Sequence, residues 1–271
     1  MLSSTVSSQV YANAYNSAVG QAKQSSERIS SQLKINRASD DPAGLVKAMS
    51  FKTELGSYTR VLTNISNTNE VLQNVSSTLT NISTILDNMS ALALKASTET
   101  NSTVLAAYQS SFSTYRDEIT QLVADVTVNG SSVMNGSTST ISAQVGIDAG
   151  DTRTLTMVNA STTTLGISAL NISTGAAAAI TALDTASDTV GSYISTIGAY
   201  SNIMDIRTNF TNAMISHKTT AYNNIMSADV AKETANLASA QIRQSASSAM
   251  LAQASTIDKD VVSYLLKGLT G

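Results

Sequence analysis

A chain of 271 residues is long enough for about two compact units of roughly 150 residues each. Charged residues make up only 13% of it, against roughly 25% in ordinary soluble proteins, and 16 Lys and Arg against 19 Asp and Glu leave a net charge of −3. This sparse, mildly acidic charge excludes binders of nucleic acid and anionic membrane, which need concentrated Lys and Arg, and the absence of Cys excludes disulfides, thiolate metal sites and Cys nucleophiles.

One Pro and 13 Gly leave long stretches with nothing to break a helix, which suits extended helices better than a loop-rich enzyme. Residues 1–20 contain no Lys or Arg and no continuous apolar run, so they predict no Sec-type signal peptide. No apolar run reaches the ~20 residues of a bilayer span. From Tyr15 onward Tyr15, Val19, Ala22, Ser26, Ile29 and Leu33 step by 4 and 3, predicting one amphipathic helix with a coiled-coil seam. It is expected to stop near Ile35, where Asn36, Asp40, Asp41, Pro42 and Gly44 combine capping carboxylates with the single proline. A second helix is predicted from about Asp41.

The most regular pattern follows. Ile65, Thr68, Leu72, Val75, Leu79, Ile82, Leu86, Met89, Ala93 and Ala96 keep the heptad step without a slip, predicting a helix over roughly 57–98. A polar turn at Glu99 to Ser102 leads into Leu105, Tyr108, Phe112, Tyr115, Ile119, Leu122 and Val126, a second heptad helix. So short a turn implies an antiparallel hairpin. Asn129-Gly130 and Asn135-Gly136 are turn dipeptides, and residues 129–175 read as a small β region. Heptad spacing resumes at Ile180, Leu183, Val190, Ile194, Ile197 and Met204, with Ser187 and Ser201 in the seam. This helix is expected to run to about Met226, with a phase shift near Ile203 and Ile206. Asp229 reads as the N-cap of a last helix whose apolar set is Leu237, Gln241, Ile242, Ala249, Ala252, Ile257, Val261, Leu265 and Leu266. The predicted fold is mainly α: an elongated antiparallel helical bundle with coiled-coil terminal helices and a small β-hairpin region.

Catalytic chemistry finds little support. His217 is the single histidine, so one chain cannot build a Ser-His-Asp triad or a two-His metal site. The carboxylates at Asp40-Asp41 and at Asp229 to Glu233 are explained by helix starts, where they meet free N–H groups and the macrodipole. Gly146, Gly150 and Gly166 form no phosphate-binding loop, and no cofactor is expected. The terminal stripes are diluted by Ala, Ser and Gln, too weak to hold a helix alone, so the terminal helices are expected to order by pairing with each other and with neighbouring subunits.

The stretch from Glu27 to Gly44, ERISSQLKINRASDDPAG, resembles the ERLSSGLRINSAxDDAAG signature of bacterial flagellins almost position for position. The stretch Ala228 to Leu237, with Ala240-Gln241-Ile242 and Met250 to Ala254, resembles the flagellin C-terminal region, and Gln144-Val145-Gly146 with Ala149-Gly150-Asp151 matches a segment after the family's N-terminal helices. Residues 1–10 depart from the family's Ile-Asn-Thr-Asn start. The resemblance implies a minimal flagellin without outer insertions, with 1–43 and 229–271 as an inner terminal-helix domain forming the filament core and 44–228 as an outer helical domain. It implies a subunit of the extracellular bacterial flagellar filament, exported by the flagellar type III apparatus without a cleaved signal peptide. The implied partners are other copies in a helical homopolymer, the flagellar cap and hook-filament junction proteins, and a flagellin export chaperone. Subunit assembly is assigned to Ile29, Leu33, Ile35, Asp40, Asp41, Pro42, Gly44, Leu237, Ile242, Leu251, Ile257, Val261 and Leu265. The family's innate-immune receptor epitope, an Arg, a Leu and a Glu, falls on Asn88, Leu92 and Glu118, so the Arg is lost. Two alternatives stand beside this one: a hook-filament junction protein of the same superfamily, which shares the Ser-Asp-Asp-Pro sequence, and a non-flagellar coiled-coil adaptor. An enzyme is the remote third.

Overall fold

The computed structural model describes residues 2–269, with side chains omitted at 2–7, 258, 261 and 265–269. Five helices and four short strands follow in chain order: α1 (Leu2–Ser31), α2 (Pro42–Thr98), α3 (Ser102–Asp125), β1 (Thr127–Val128), β2 (Ser131–Ser132), β3 (Thr140–Gln144), β4 (Thr152–Thr156), α4 (Ile172–Met226) and α5 (Val230–Leu269). They form two compact units, Met1–Thr53 with Lys218–Gly271, and Glu54–His217.

In the unit Glu54–His217 the heptad register becomes the core. Ile65, Leu72, Val75, Leu79, Ile82, Leu86, Met89, Ala93 and Ala96 of α2 are all buried, and meet Phe112, Ile119 and Val123 of α3 and Leu183, Val190, Ile197 and Met204 of α4. Each large aliphatic side chain buried in this way stabilises the unit by about 2 kcal/mol. Asn101 caps α3 by accepting from the backbone N–H groups of Thr103 (2.9 Å) and Val104 (3.4 Å). Gln109 Oε1 accepts from the Ile172 N–H at 2.7 Å, and Ser173 Oγ donates to the Leu105 carbonyl at 3.2 Å, tying the start of α4 to α3. At Gly175 the backbone leaves helical angles (φ −144°, ψ 45°), so the regular part of α4 begins with the alanine run. β1 pairs with β2 and β3 with β4, both antiparallel, the second in register Ile141↔Leu155 and Ala143↔Arg153.

Several expectations are corrected. The first helix stops at Ser31, not near Ile35, because Gln32 takes a left-handed φ of 58° and Leu33 turns into a bridge with Ser227. The segments expected as separate helices from Asp41 and over 57–98 are one helix, α2, since nothing between them breaks it. The expected phase shift in α4 is absent. Its seam passes from Met204 to buried Thr211 while Ile206 and Phe210 stay exposed, so polar residues keep the register that apolar ones had suggested was lost.

Candidate functional site

The candidate surface lies in the unit Met1–Thr53 with Lys218–Gly271, where α1 packs on α5. The α1 seam runs through Tyr15, Ala18, Ala22, Ser25 and Ile29, not through Val19 and Ser26. Ala18 is 3% and Ser25 5% exposed, while Val19 is 38% exposed. The facing α5 seam is Glu233, Leu237, Ala240, Gln244, Ser247, Leu251 and Ala254, all buried or half-buried, so the expected Gln241, Ile242, Ala249, Ala252 and Ile257 point elsewhere. Small residues win the seam because they let the two backbones approach, and the bulkier apolar residues are displaced to the outer faces.

One polar cluster sits in this seam. Glu233 is buried and accepts from Ser25 Oγ (3.0 Å) and Arg28 Nη1 (3.2 Å) across the pair and from Asn236 Nδ2 (3.3 Å) on its own helix. Burial alone would push its carboxyl up, but the hydrogen bonds of Asn236, Ser25 and Arg28, with the Arg28 charge, outweigh this and hold it below the ordinary glutamate value. Arg28 Nε is buried with no hydrogen-bond partner among the described residues. The helix-start reading of this carboxylate is corrected: Glu233 lies in the first turn of α5, but its carboxylate bonds side chains in the seam, and the Lys232 N–H at that start donates to Asp229 Oδ1 at 3.1 Å. The seam position of Glu233 is readable from its heptad step to Leu237.

The two linkers of the unit bind each other. Lys34 N–H donates to the Met226 carbonyl (2.7 Å) and Ala228 N–H to the Gln32 carbonyl (3.0 Å) around the Leu33↔Ser227 bridge. Ile35 is buried with Ala48 and Met226, with Leu33, Leu45, Tyr222 and Ile225 packed against them. The turn that follows is held by two adjacent carboxylates with different tasks. Asp40 Oδ2 accepts from the backbone N–H groups of Asn36 (3.0 Å) and Arg37 (2.9 Å), which lower its pKa. Asp41 Oδ1 accepts from the Gly44 N–H at 2.8 Å and so caps α2, with Pro42 in the first helical position. A Cβ on Gly44 would land on the Asp41 carboxylate and crowd Ile35 Cδ1, so the cap needs glycine there.

Of the residues assigned to assembly, Ile29, Leu33, Asp41, Gly44, Leu237 and Leu251 are half-buried, Ile35 is buried, and Asp40, Pro42, Ile242 and Ile257 are exposed. Val261 and Leu265 fall within α5 but lie outside the residues whose side chains are described. The outer faces of this unit carry Val10, Val19, Val46, Met49, Ile242, Met250, Ile257, Val262 and Tyr264, with Ile242 at 70% and Tyr264 at 82% exposure. In the other unit Asn88 on α2 and Glu118 on α3 are exposed, and Leu92, one turn beyond Asn88, is half-buried against the core. His217 is exposed on α4. Among the described residues no three His, Cys, Asp or Glu gather as a metal site, and no helix is long and apolar enough to cross a membrane.

Comparison with known proteins agrees with this geometry. Residues 2–139 match the family described as bacterial flagellin N-terminal helical region, and residues 180–265 match bacterial flagellin C-terminal helical region. The chain is similar to a flagellin of Halalkalibacterium halodurans, 28% identical over 252 residues that cover 91% of this chain and 93% of that protein. It is equally similar to flagellin FljM of Caulobacter vibrioides, 28% identical over 84% of this chain and 85% of that one. Among solved structures, Bacillus cereus flagellin superposes with a TM-score of 0.50 at 25% identity, covering 55% of this chain and 88% of that one. A candidate flagellar hook-associated protein of Vibrio parahaemolyticus shares the fold, with a TM-score of 0.59 at 16% identity over 69% of this chain and 100% of that one.

Proposed function

The chain belongs to the bacterial flagellin family, and from that premise we propose how this flagellar filament subunit assembles. The observation that carries the proposal is the uneven use of apolar residues in α1 and α5. Small and polar residues fill the contact within the chain, while Val19, Ile242, Met250 and Ile257 remain on the surface. A monomer leaves between 38% and 70% of these residues' surface exposed, and a neighbouring copy buries that remainder at about 25 cal/mol per Å² of apolar area. Residues 1–43 and 229–271 form the filament core in this reading, and 44–228 lie outside it. Asp40, Asp41, Pro42 and Gly44 fix the turn from which the core helix α1 leaves α2, and so set the geometry between neighbours.

The finer partners follow from the same surface. An export chaperone covers the exposed stripe of α5 before secretion, since free apolar helices aggregate, and the cap and hook-filament junction proteins meet the subunit at the filament ends. In this reading the chain is a structural subunit without enzymatic activity. Fold similarity to a hook-associated protein does not separate the two roles, but the flagellins align over most of the chain. Asn88 in place of Arg beside Leu92 and Glu118 predicts weak or absent sensing by the innate-immune flagellin receptor; strong activation of receptor-bearing cells by purified monomer would overturn that. The assembly surface is tested by sedimentation of the variant Ile242→Ser, Met250→Ser, Ile257→Ser. The proposal expects a folded monomer that no longer pellets as polymer, and wild-type polymerisation by this variant would refute it.

A further inference from the structure

The chain contains two Asn-Gly pairs, 129–130 and 135–136; both asparagines are exposed and both glycines have a positive φ, but the contacts around the two pairs differ. In an Asn-Gly pair the backbone nitrogen of the glycine can give up its proton and attack the side-chain Cγ of the asparagine. The bond from Cγ to the amide nitrogen breaks and ammonia leaves, closing a five-membered succinimide. Water then opens either carbonyl to give aspartate or isoaspartate, so one amide and one water become one carboxylate and one ammonium ion with no oxidant or reductant. Glycine favours the attack because no Cβ shields its nitrogen.

We propose that Asn129 is a site of this spontaneous modification and that the fold protects Asn135 from it. Asn129 (φ 51°) and Gly130 (φ 80°) are the two central residues of the tight turn joining β1 to β2, and φ above zero at both makes it a type I′ turn. Each strand of that hairpin is only two residues long, too short to resist local opening. Asn129 is exposed, and its side-chain amide has no hydrogen-bond partner among the described residues. Nothing lies within 4 Å of where a Cβ on Gly130 would stand, so the ring can close without displacing a neighbour.

Asn135 is exposed as well, but its side-chain oxygen and the residues beside it are held. Its Oδ1 accepts from the Ser137 N–H at 2.9 Å, and the Ser137 hydroxyl lies 2.6 Å from the same oxygen and 2.9 Å from the Ser132 carbonyl. The side chain of Asn159 occupies the space a Cβ on Gly136 would take. Val133 and Met134, just before the pair, are fully buried, and the Met134 carbonyl accepts from the Ala160 N–H at 2.8 Å. Ring closure at Asn135 therefore requires several contacts to break first, whereas closure at Asn129 requires only a two-residue turn to flex. Conversion of Asn129 makes each subunit one charge more negative. Its isoaspartate form also lengthens the main chain inside the turn and removes the pairing of Val128 with Ser131.

The test is peptide mapping by mass spectrometry of the full-length protein held for days in mildly alkaline buffer, folded and, in parallel, in denaturant. The folded protein is expected to gain carboxylate mass, with isoaspartate as the larger product, roughly tenfold faster at Asn129 than at Asn135, and the two rates are expected to converge in denaturant, where local opening no longer discriminates. Asn129→Gln is expected to remove nearly all of the early conversion from the folded protein. Equal rates at the two sites in the folded state, faster conversion at Asn135, or an unaltered Asn129 where the denatured control reacts would each overturn the proposal.

Discussion

Glu233 sets the acid limit of the α1–α5 pair. Its carboxylate is stabilised by Ser25, Arg28 and Asn236, so its folded pKa lies below its unfolded one. A group shifted down contributes stability at pH above its unfolded pKa and loses it as pH falls through the folded value. Helix content followed by circular dichroism during acid titration is therefore expected to fall earlier in the terminal helices than in the unit Glu54–His217. Glu233→Gln is expected to cost about 1–2 kcal/mol at neutral pH and to flatten that acid transition; an unchanged transition would remove Glu233 from the account. Asp41 supports a separate prediction. Asp41→Ala deletes the α2 cap and is expected to destabilise by about 1 kcal/mol, read as a lowered Tm, and Gly44→Ala is expected to do the same because its Cβ meets the capping carboxylate. These caps were legible in sequence, as was Asp229, because a capping oxygen needs only the N–H groups two or three residues ahead. The step from Glu233 to Leu237 marks its seam position, but its partners Ser25 and Arg28 lie more than 200 residues away, and no local pattern names them.

Among the elements, α2 and α5 show where hydropathy reads true and where it fails. In α2 every predicted heptad position except half-buried Thr68 is buried, because large apolar residues have one place to go when two other helices surround them. In α1 and α5 the apolar residues have two destinations, the helix partner within the chain and the next subunit, and a single sequence does not label which is which. Ala18, Ser25, Ala240 and Ser247 carry almost no hydropathy signal, so Val19 and Ile242 were read into seams they do not occupy. The same contrast makes a mutational prediction. Phe112→Ala is expected to cost about 3–5 kcal/mol of the stability of the unit Glu54–His217, measured by chemical denaturation. Ile242→Ala is expected to change monomer stability by no more than about 0.5 kcal/mol while weakening polymerisation. A large loss of monomer stability in Ile242→Ala would place that side chain inside the chain's own core and remove it from the assembly surface.

For the whole molecule, sparse charge and long heptad runs pointed to extended helices. The filament subunit and its inner and outer parts came from the resemblance carried by the stretch Glu27 to Gly44, and the matches over residues 2–139 and 180–265 show the family. What the sequence hid was that the terminal unit is tied to itself by backbone, through the Leu33↔Ser227 bridge, before any neighbour arrives. The account's central claim is that a chain folded in this way still lacks the partner for its outer apolar faces and finds it in copies of itself. Seeding the purified protein with short filament fragments and imaging it by negative-stain electron microscopy tests that claim most directly. The account predicts long, uniform filaments from the full chain and none from chains lacking 1–33 or 232–271. Monomers or discrete small oligomers from the intact chain, or filaments from either truncation, would contradict it.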